Sequence, residues 1–275
     1  MRRPLRVASD CSGINSPWVA LQRLGVSFTE VWYSDICPHA RRVSELNRLD
    51  QNEPCIDYGD IMERDLDEIA QQDVQIYVSG PPCQSFSCIG KRLGAHDSRF
   101  DVFLNVLDTI LHCEPQTFIV ENVTIRCNVA RQQIDIKLSL LSEVYNIHKD
   151  HLNAAMWSPQ NRMRMYIVGI RRDVQQQPFQ FPTPPQQRLC TLDNVLQPDD
   201  DKIPPHCYEM TDHMIDVVDC HAERIGPNFH RQNWIVNAGS SFLHGSCLRD
   251  CSCCITLRSR PYLSAKDRKL SSLEL

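Results

Sequence analysis

Four short stretches of the chain place reactive side chains where an apolar run stops, and a fifth leads into one. In Gly80-Pro81-Pro82-Cys83-Gln84-Ser85-Phe86-Ser87 the two prolines force an extended, rigid turn. Cys83, held just beyond it, is placed as a nucleophile rather than as core filling. Glu121-Asn122-Val123 sets a carboxylate at the end of an apolar run. Partial desolvation there favours the protonated acid, so Glu121 could hold or donate a proton; a structural cap or ion pair would use the same residue. Asp10-Cys11-Ser12-Gly13-Ile14-Asn15-Ser16 is a small, glycine-containing turn. Such turns let a cofactor approach backbone N–H groups, although the spacing is not GxGxxG. Ser34-Asp35 closes another run, where Asp35 can accept from both ribose hydroxyls of an adenosyl cofactor or cap a helix. In Gln160-Asn161-Arg162-Met163-Arg164-Met165-Tyr166, period two puts Arg162 and Arg164 on one face and the methionines on the other. Two guanidinium groups suit a phosphate or a carboxylate, or form a solvated edge.

The elements that must position these residues alternate. Leu5–Asp10, Glu30–Asp35, Gln75–Gly80, Thr117–Val123, Tyr145–Ala155 and Arg164–Arg171 read as strands. Pro17–Leu24, His39–Leu49, Ile61–Gln71, Val102–Leu111 and Ile134–Ser142 read as helices. This order predicts an α/β fold with a mainly parallel sheet, in which ligands lie outside the carboxyl ends of the strands. After Arg172 the character changes. Residues 173–205 hold seven prolines and the stretch QQQPFQFPTPPQQ, which continues neither sheet nor helix.

With 275 residues, 42% apolar and 23% charged, the chain has the composition of a globular protein of one large or two small domains. Its 29 Lys and Arg against 34 Asp and Glu exclude a strongly basic coat. Residues 1–150 carry 15 basic and 21 acidic groups and residues 151–275 carry 14 and 13, so a polyanion should prefer the second half. The start has no signal-peptide pattern, and no membrane span is read. The 14 cysteines are mostly scattered singly and are read as reduced, buried residues rather than a disulfide framework. Cys247, Cys251, Cys253 and Cys254, with His206, Cys207, Cys220, His221 and His244 upstream, lack paired CxxC knuckles, so no metal is expected.

Taken together, PPCQSFS, the downstream ENV and QNRMR resemble the cytosine-5 methyltransferases that modify DNA, over about residues 5–172 and weakly 254–274. The resemblance implies a Rossmann-like, S-adenosylmethionine-dependent methyltransferase fold with a small irregular target-recognition region. It implies a catalytic and cofactor-binding domain over 1–172, target recognition over 173–245 and an incomplete return segment over 246–275. It assigns Cys83 as the nucleophile that attacks C6 of a flipped cytosine. Glu121 matches the residue that contacts N3 and the exocyclic amine, and Arg162 and Arg164 match the arginines that orient the base. For S-adenosyl-L-methionine it assigns the loop Cys11, Ser12, Gly13, Ile14, Asn15 and Ser16 to the methionine side and Asp35 to the ribose. Ile36, Asp60 and Ile61 are assigned to the adenine, with Pro82 at the border.

The chain departs from the family pattern at several positions. Cys11 stands where an aromatic residue is usual, and Asn15 and Ser16 stand at glycine-like positions. Arg268–Glu274 resembles the start of a segment that normally continues. Its missing remainder is expected to leave Leu5–Ala8 and Val19, Leu21 and Leu24 partly uncovered. The partner implied is double-stranded DNA, and the address intracellular: nuclear in a eukaryote, cytoplasmic in a prokaryote or virus. Two other readings stay open. One is the tRNA-methylating branch of the same family, whose Cys-Phe-Thr signature is absent from this sequence. The other is a catalytically inactive DNA-binding or regulatory homologue.

Overall fold

The computed structural model describes residues 3–48, 51, 54–82, 98–125, 127–186, 190, 212–226, 234–237, 247–249, 252–253 and 262–264. The chain forms two compact units. One comprises Met1–Leu152 with Arg164–Phe181, the other Asn153–Met163 with Pro182–Leu275. Packing therefore groups the 153–163 stretch, with Arg162, in the second unit.

In the first unit, strands β1 (Leu5–Asp10), β2 (Phe28–Ser34), β3 (Ile56–Asp57), β4 (Ile76–Ser79), β5 (Thr117–Asn122), β6 (Tyr145–Asn153) and β8 (Met163–Arg171) form one sheet in the order β3-β2-β1-β4-β5-β8-β6. The short β7 (Gln160–Asn161) lies outside it. Pairings from β3 through β5 are parallel, and β8 runs antiparallel to β5. The chain grows outward from β1 through β2 to β3, then returns to the other side of β1 as β4. That reversal opens a crevice beyond the carboxyl ends of β1 and β4. Register brings these ends level: Asp10 pairs with both Ser34 and Ser79, and Ser79 with Val120.

Helices α1 (Ser16–Arg23), α2 (Pro38–Asn47), α3 (Leu66–Ala70), α4 (Ser98–Cys113) and α5 (Asn128–Leu141) complete this unit. α4 buries Phe103, Val106, Leu107 and Ile110 at the i, i+3, i+4, i+7 spacing of one face. With Trp32, Tyr77 and Phe118 they form part of one apolar cluster. α5 starts earlier than Ile134, because Ala130 extends its buried face one turn back. The helix expected over Ile61–Gln71 shortens to α3. Asp60 Oδ1 captures the Met62 N–H at 2.9 Å and Asp65 Oδ1 the Asp67 N–H at 2.8 Å, and such side-chain bonds compete with a continuous helix.

β1 lies inside the sheet: Val7 and Ala8, expected to be partly uncovered, are buried, while Leu5 is half-buried. Val19 and Leu21 are half-buried, and Leu24 stands 75% exposed. Cys11, Cys37, Cys55 and Cys113 are free thiols. No helix among the described residues is long and apolar enough to cross a membrane.

The second unit contains β7 paired in parallel with β11 (Ser252–Cys253). It also holds β9 (Trp234–Asn237) flanked antiparallel by β10 (Cys247–Arg249) and β12 (Tyr262–Ser264), and α6 (Asp212–Ile225). Of the Cys/His group considered for a metal, His206, Cys207, His244, Cys251 and Cys254 lie outside the described residues.

Gly169 in β8 offers a test of this packing. A Cβ there would stand 2.0 Å from the ring of buried Phe118, which itself packs edge-on to Tyr145. Gly169→Ala is expected to destabilise the protein by about 1–3 kcal/mol through overpacking, read as a lower urea midpoint. An unchanged midpoint would contradict the packing of β8 on β5.

Candidate active site

The carboxyl edge of the sheet carries a cleft of about 500 Å³, within the roughly 300–1,000 Å³ range of small-molecule sites. Each strand end contributes to it. Cys11 follows β1, and Ser34, Asp35 and Ile36 close β2. Gly80 and Pro82 follow β4, and Val102 reaches in from α4. Gly59, Asp60, Ile61 and Met62 form the opposite wall. Ile36, Ile61, Met62 and Val102 make the lining largely apolar, with two carboxylates set among them.

Asp35 holds this edge together. Its Oδ2 accepts from the Gly13 N–H at 2.8 Å and its Oδ1 from the Cys37 N–H at 2.8 Å. Both oxygens keep a further lone pair for a ligand. The bland alternative, a helix cap, falls instead to Cys37, whose side chain makes no capping bond. Asp60 is engaged through Oδ1 by the Met62 N–H, and Gly59 beside it has φ +61°.

The first loop divides its work. Only Cys11 faces the cleft, and Gly13 takes part through its bond to Asp35. Ser12 is buried, and its hydroxyl donates to the Ser9 and Ser34 carbonyls. Asn15 sits at φ +61° as the α1 N-cap. Its amide donates to buried Glu30 at 2.8 Å and its Oδ1 accepts from the Trp18 N–H. Ile14 is exposed, its carbonyl taking a bond from Asn47, and Ser16 opens the helix. Burial, then the charges of Asp10 and Asp35, push the Cys11 thiol above its ordinary range, which keeps it protonated and a poor nucleophile.

The other half of the site lies one strand over. Glu121, at the end of β5, pairs with Arg164 of β8, Oε1 to Nε 3.0 Å, with side-chain exposures of 27% and 14%. The antiparallel register creates this pair by setting Glu121 opposite Tyr166 and Asn122 opposite Met165. A Cβ on Gly80 would stand 3.8 Å from Glu121 Oε2 and 3.8 Å from the Cys11 carbonyl. Glu121 therefore borders the same turn that lines the cleft. Asn122 Nδ2 donates to the Pro81 carbonyl at 3.1 Å and fixes that turn from below. Cys83 lies outside the described residues; the chain reaches it directly from Pro82. Arg162 belongs to the second unit, where its N–H donates to Asn153 Oδ1 at 3.0 Å.

Met62, Val102 and Asn122 are site residues that sequence reasoning did not single out. Met62 directly follows the Gly59-Asp60-Ile61 stretch, and Asn122 was quoted only as part of ENV. Val102 shows no signal beyond its place on a helix.

Residues 5–240 match the profile of the C-5 cytosine-specific DNA methylases. The orphan methyltransferase M.SPRI of Bacillus phage SPR is 34% identical over 174 residues, 62% of this chain and 38% of that protein. The type II methyltransferase M.NgoBI of Neisseria gonorrhoeae is 32% identical over 198 residues, 71% of this chain and 58% of that protein. The match thus spans little more than a third of the phage protein. Among solved structures, Entamoeba histolytica methyltransferase EhMeth superposes with TM-score 0.60 at 16% identity, covering 80% of this chain and 66% of its own. A putative DNA modification methyltransferase from an E. coli prophage gives TM-score 0.51 at 21% identity over 62% of this chain and 47% of its own. At these identities the structural likeness establishes the fold.

Asn15 provides the check on the loop geometry. Both Asn15→Ala and Asn15→Gly lose the cap and the bond to Glu30, but only alanine is strained at positive φ. Asn15→Ala is expected to cost about 2–3 kcal/mol and the glycine variant about 1 kcal/mol less, measured by chemical unfolding. Equal stability of the two variants would contradict the left-handed conformation.

Proposed function

The chain belongs to the C-5 cytosine-specific DNA methylase family, and on that premise we propose that it methylates C5 of cytosine in double-stranded DNA with S-adenosyl-L-methionine as donor. The observation that carries this reading is the convergence of Asp35 and Asp60 on one cleft lined also by Gly80 and Pro82, with Gly80 bordering Glu121 of the Glu121–Arg164 pair and Pro82 preceding Cys83 in the sequence.

The cleft residues suit the donor. Asp35 offers lone pairs to ribose hydroxyls, Ile36 and Ile61 offer apolar surface to an adenine, and Asp60 an acceptor for its amino group. Cys11 and the first loop border the methionine end. When bound, S-adenosylmethionine supplies the electrophilic methyl group.

Cytosine C5 is a weak nucleophile, and the residues of this chain correct that. The Cys83 thiolate adds to C6, forming an S–C bond and pushing the ring electrons toward C5. Glu121 holds a proton at N3 and accepts from the exocyclic amine, stabilising the ring as charge develops. Arg164 fixes the Glu121 carboxylate through its 3.0 Å contact, and Arg162 orients the base. Once C5 carries the methyl group, loss of the C5 proton restores the ring and the S–C electron pair returns to sulfur, releasing Cys83. C6 is hidden in a duplex, so the target cytosine leaves the stack first, at a cost of about a few kcal/mol.

Cys83→Ser should lower transfer of a labelled methyl group to unmethylated DNA by about a thousandfold or more, because an alkoxide is far less accessible than a thiolate. DNA made with 5-fluorocytosine should form a covalent, denaturant-resistant complex with the wild type, because no proton can leave C5. Substantial turnover by the serine variant, or label appearing in tRNA and not in DNA offered beside it, would overturn the assignment.

A further inference from the structure

Arg64 belongs to no helix or strand, lying between the Asp60–Glu63 turn and α3, yet its side chain is 1% exposed. A loop arginine buried this completely is unusual, and its partners are concentrated at one place. Nη1 donates to Asp10 Oδ1 at 2.5 Å and Nη2 donates to Asp10 Oδ2. Nη2 also donates to Thr109 Oγ1 of α4 at 2.9 Å, and the guanidinium lies 4.6 Å over the Trp32 ring. Asp10, itself wholly buried at the end of β1, also accepts from Ser34 Oγ at the end of β2 and from the Tyr77 hydroxyl of β4.

These contacts border the cleft, and Ser34 also lines it. Asp10 precedes Cys11, Ser34 precedes Asp35, and Thr109 lies two turns along α4 from Val102. Arg64 itself follows Ile61 and Met62 by three and two residues. Within the 60–63 turn the bonds are local, from Met62 and Glu63 N–H to Asp60, and Ile61 contributes apolar burial. We propose that Arg64 is a positioning residue: it clamps the 60–62 wall to the strand ends through Asp10 and so sets the cleft in its cofactor-binding shape. The proposal rests on reading that cleft as the S-adenosylmethionine site. A planar, bidentate donor is required for this geometry, and lysine could not supply it.

Arg64→Met leaves Asp10 buried without its partner and risks the fold. The double variant Asp10→Asn/Arg64→Met leaves no uncompensated charge and keeps the test open. Two readouts on the full chain decide it. By calorimetry with S-adenosylhomocysteine, the double variant should bind about tenfold or more weakly, since a preorganised wall has been lost. By hydrogen exchange without ligand, the amides of Ile61 and Met62 should exchange about tenfold or more faster. Leu141→Ala in α5, remote from the cleft lining, is the control for general destabilisation and should change neither. In methyl transfer the KM for S-adenosylmethionine should rise while kcat at saturation falls less than about threefold.

Wild-type affinity together with wild-type exchange in the double variant would overturn the clamp. So would equal losses in the Leu141→Ala control. If the wild type itself fails to bind S-adenosylhomocysteine, the cofactor reading falls, and exchange at 61–62 alone decides the clamp: acceleration supports it and no acceleration overturns it.

Discussion

A carboxylate buried as completely as Asp10 persists only if donors replace the water it has lost. Two guanidinium nitrogens, a serine hydroxyl and a tyrosine hydroxyl do so here. Burial and the neighbouring Asp10 charge push the Tyr77 phenol well up, which keeps its proton available for that bond. Removing one member of such a buried pair costs about 3–5 kcal/mol, although the intact pair need not add net stability over apolar packing. What it supplies is arrangement. Four donors on one carboxylate tie the ends of β1, β2 and β4 to the 60–62 wall, and the carboxyl edge takes its shape from there.

A second buried carboxylate repeats the device below the first loop. Glu30 accepts from Ser9 and Asn15, lies 3.5 Å from Arg48, and is buried with them. It fixes Asn15, whose left-handed backbone turns the chain into α1. Residues of the loop are thereby split between holding the backbone and facing the cleft. Cys11 faces outward, while Ser12 and Asn15 point inward. The same split recurs beside β5, where Glu121 borders the Gly80 turn while buried Asn122 holds Pro81. Adjacent residues of a strand end face opposite ways, so one contacts chemistry and its neighbour sets the geometry.

Much of this was legible in the sequence. Apolar runs ending in Asp10, Asp35, Gly80 and Glu121 gave the strand ends, because buried parallel strands are apolar throughout and stop where the site begins. Asp35, Ile36, Asp60, Ile61, Pro82 and Cys11 do meet at one cleft. The inward turn of Ser12 and Asn15 was not legible, since a short polar side chain near a glycine suits a ligand and a cap equally. Arg64 left no trace at all: its type argues for solvent, and its partners are 32 to 54 residues away in the chain. The Glu121–Arg164 pair depended on the antiparallel entry of β8, which periodicity does not reveal because period two is the same in either direction. The shortened third helix was hidden for a related reason: apolar spacing over 61–71 is helical, but Asp60 and Asp65 spend their side chains on local N–H groups.

The proposed cofactor site is the carboxyl-edge cleft. A two-dimensional amide NMR titration of the full chain with S-adenosylhomocysteine tests it most directly. Saturable shifts are expected at Gly13, Ile36, Met62 and Gly80, all at the cleft or bonded to Asp35. The crevice beside β6 lined by His148, Arg172 and Phe179 should stay silent. Shifts confined to that crevice, or none at the carboxyl edge at saturating ligand, would contradict it.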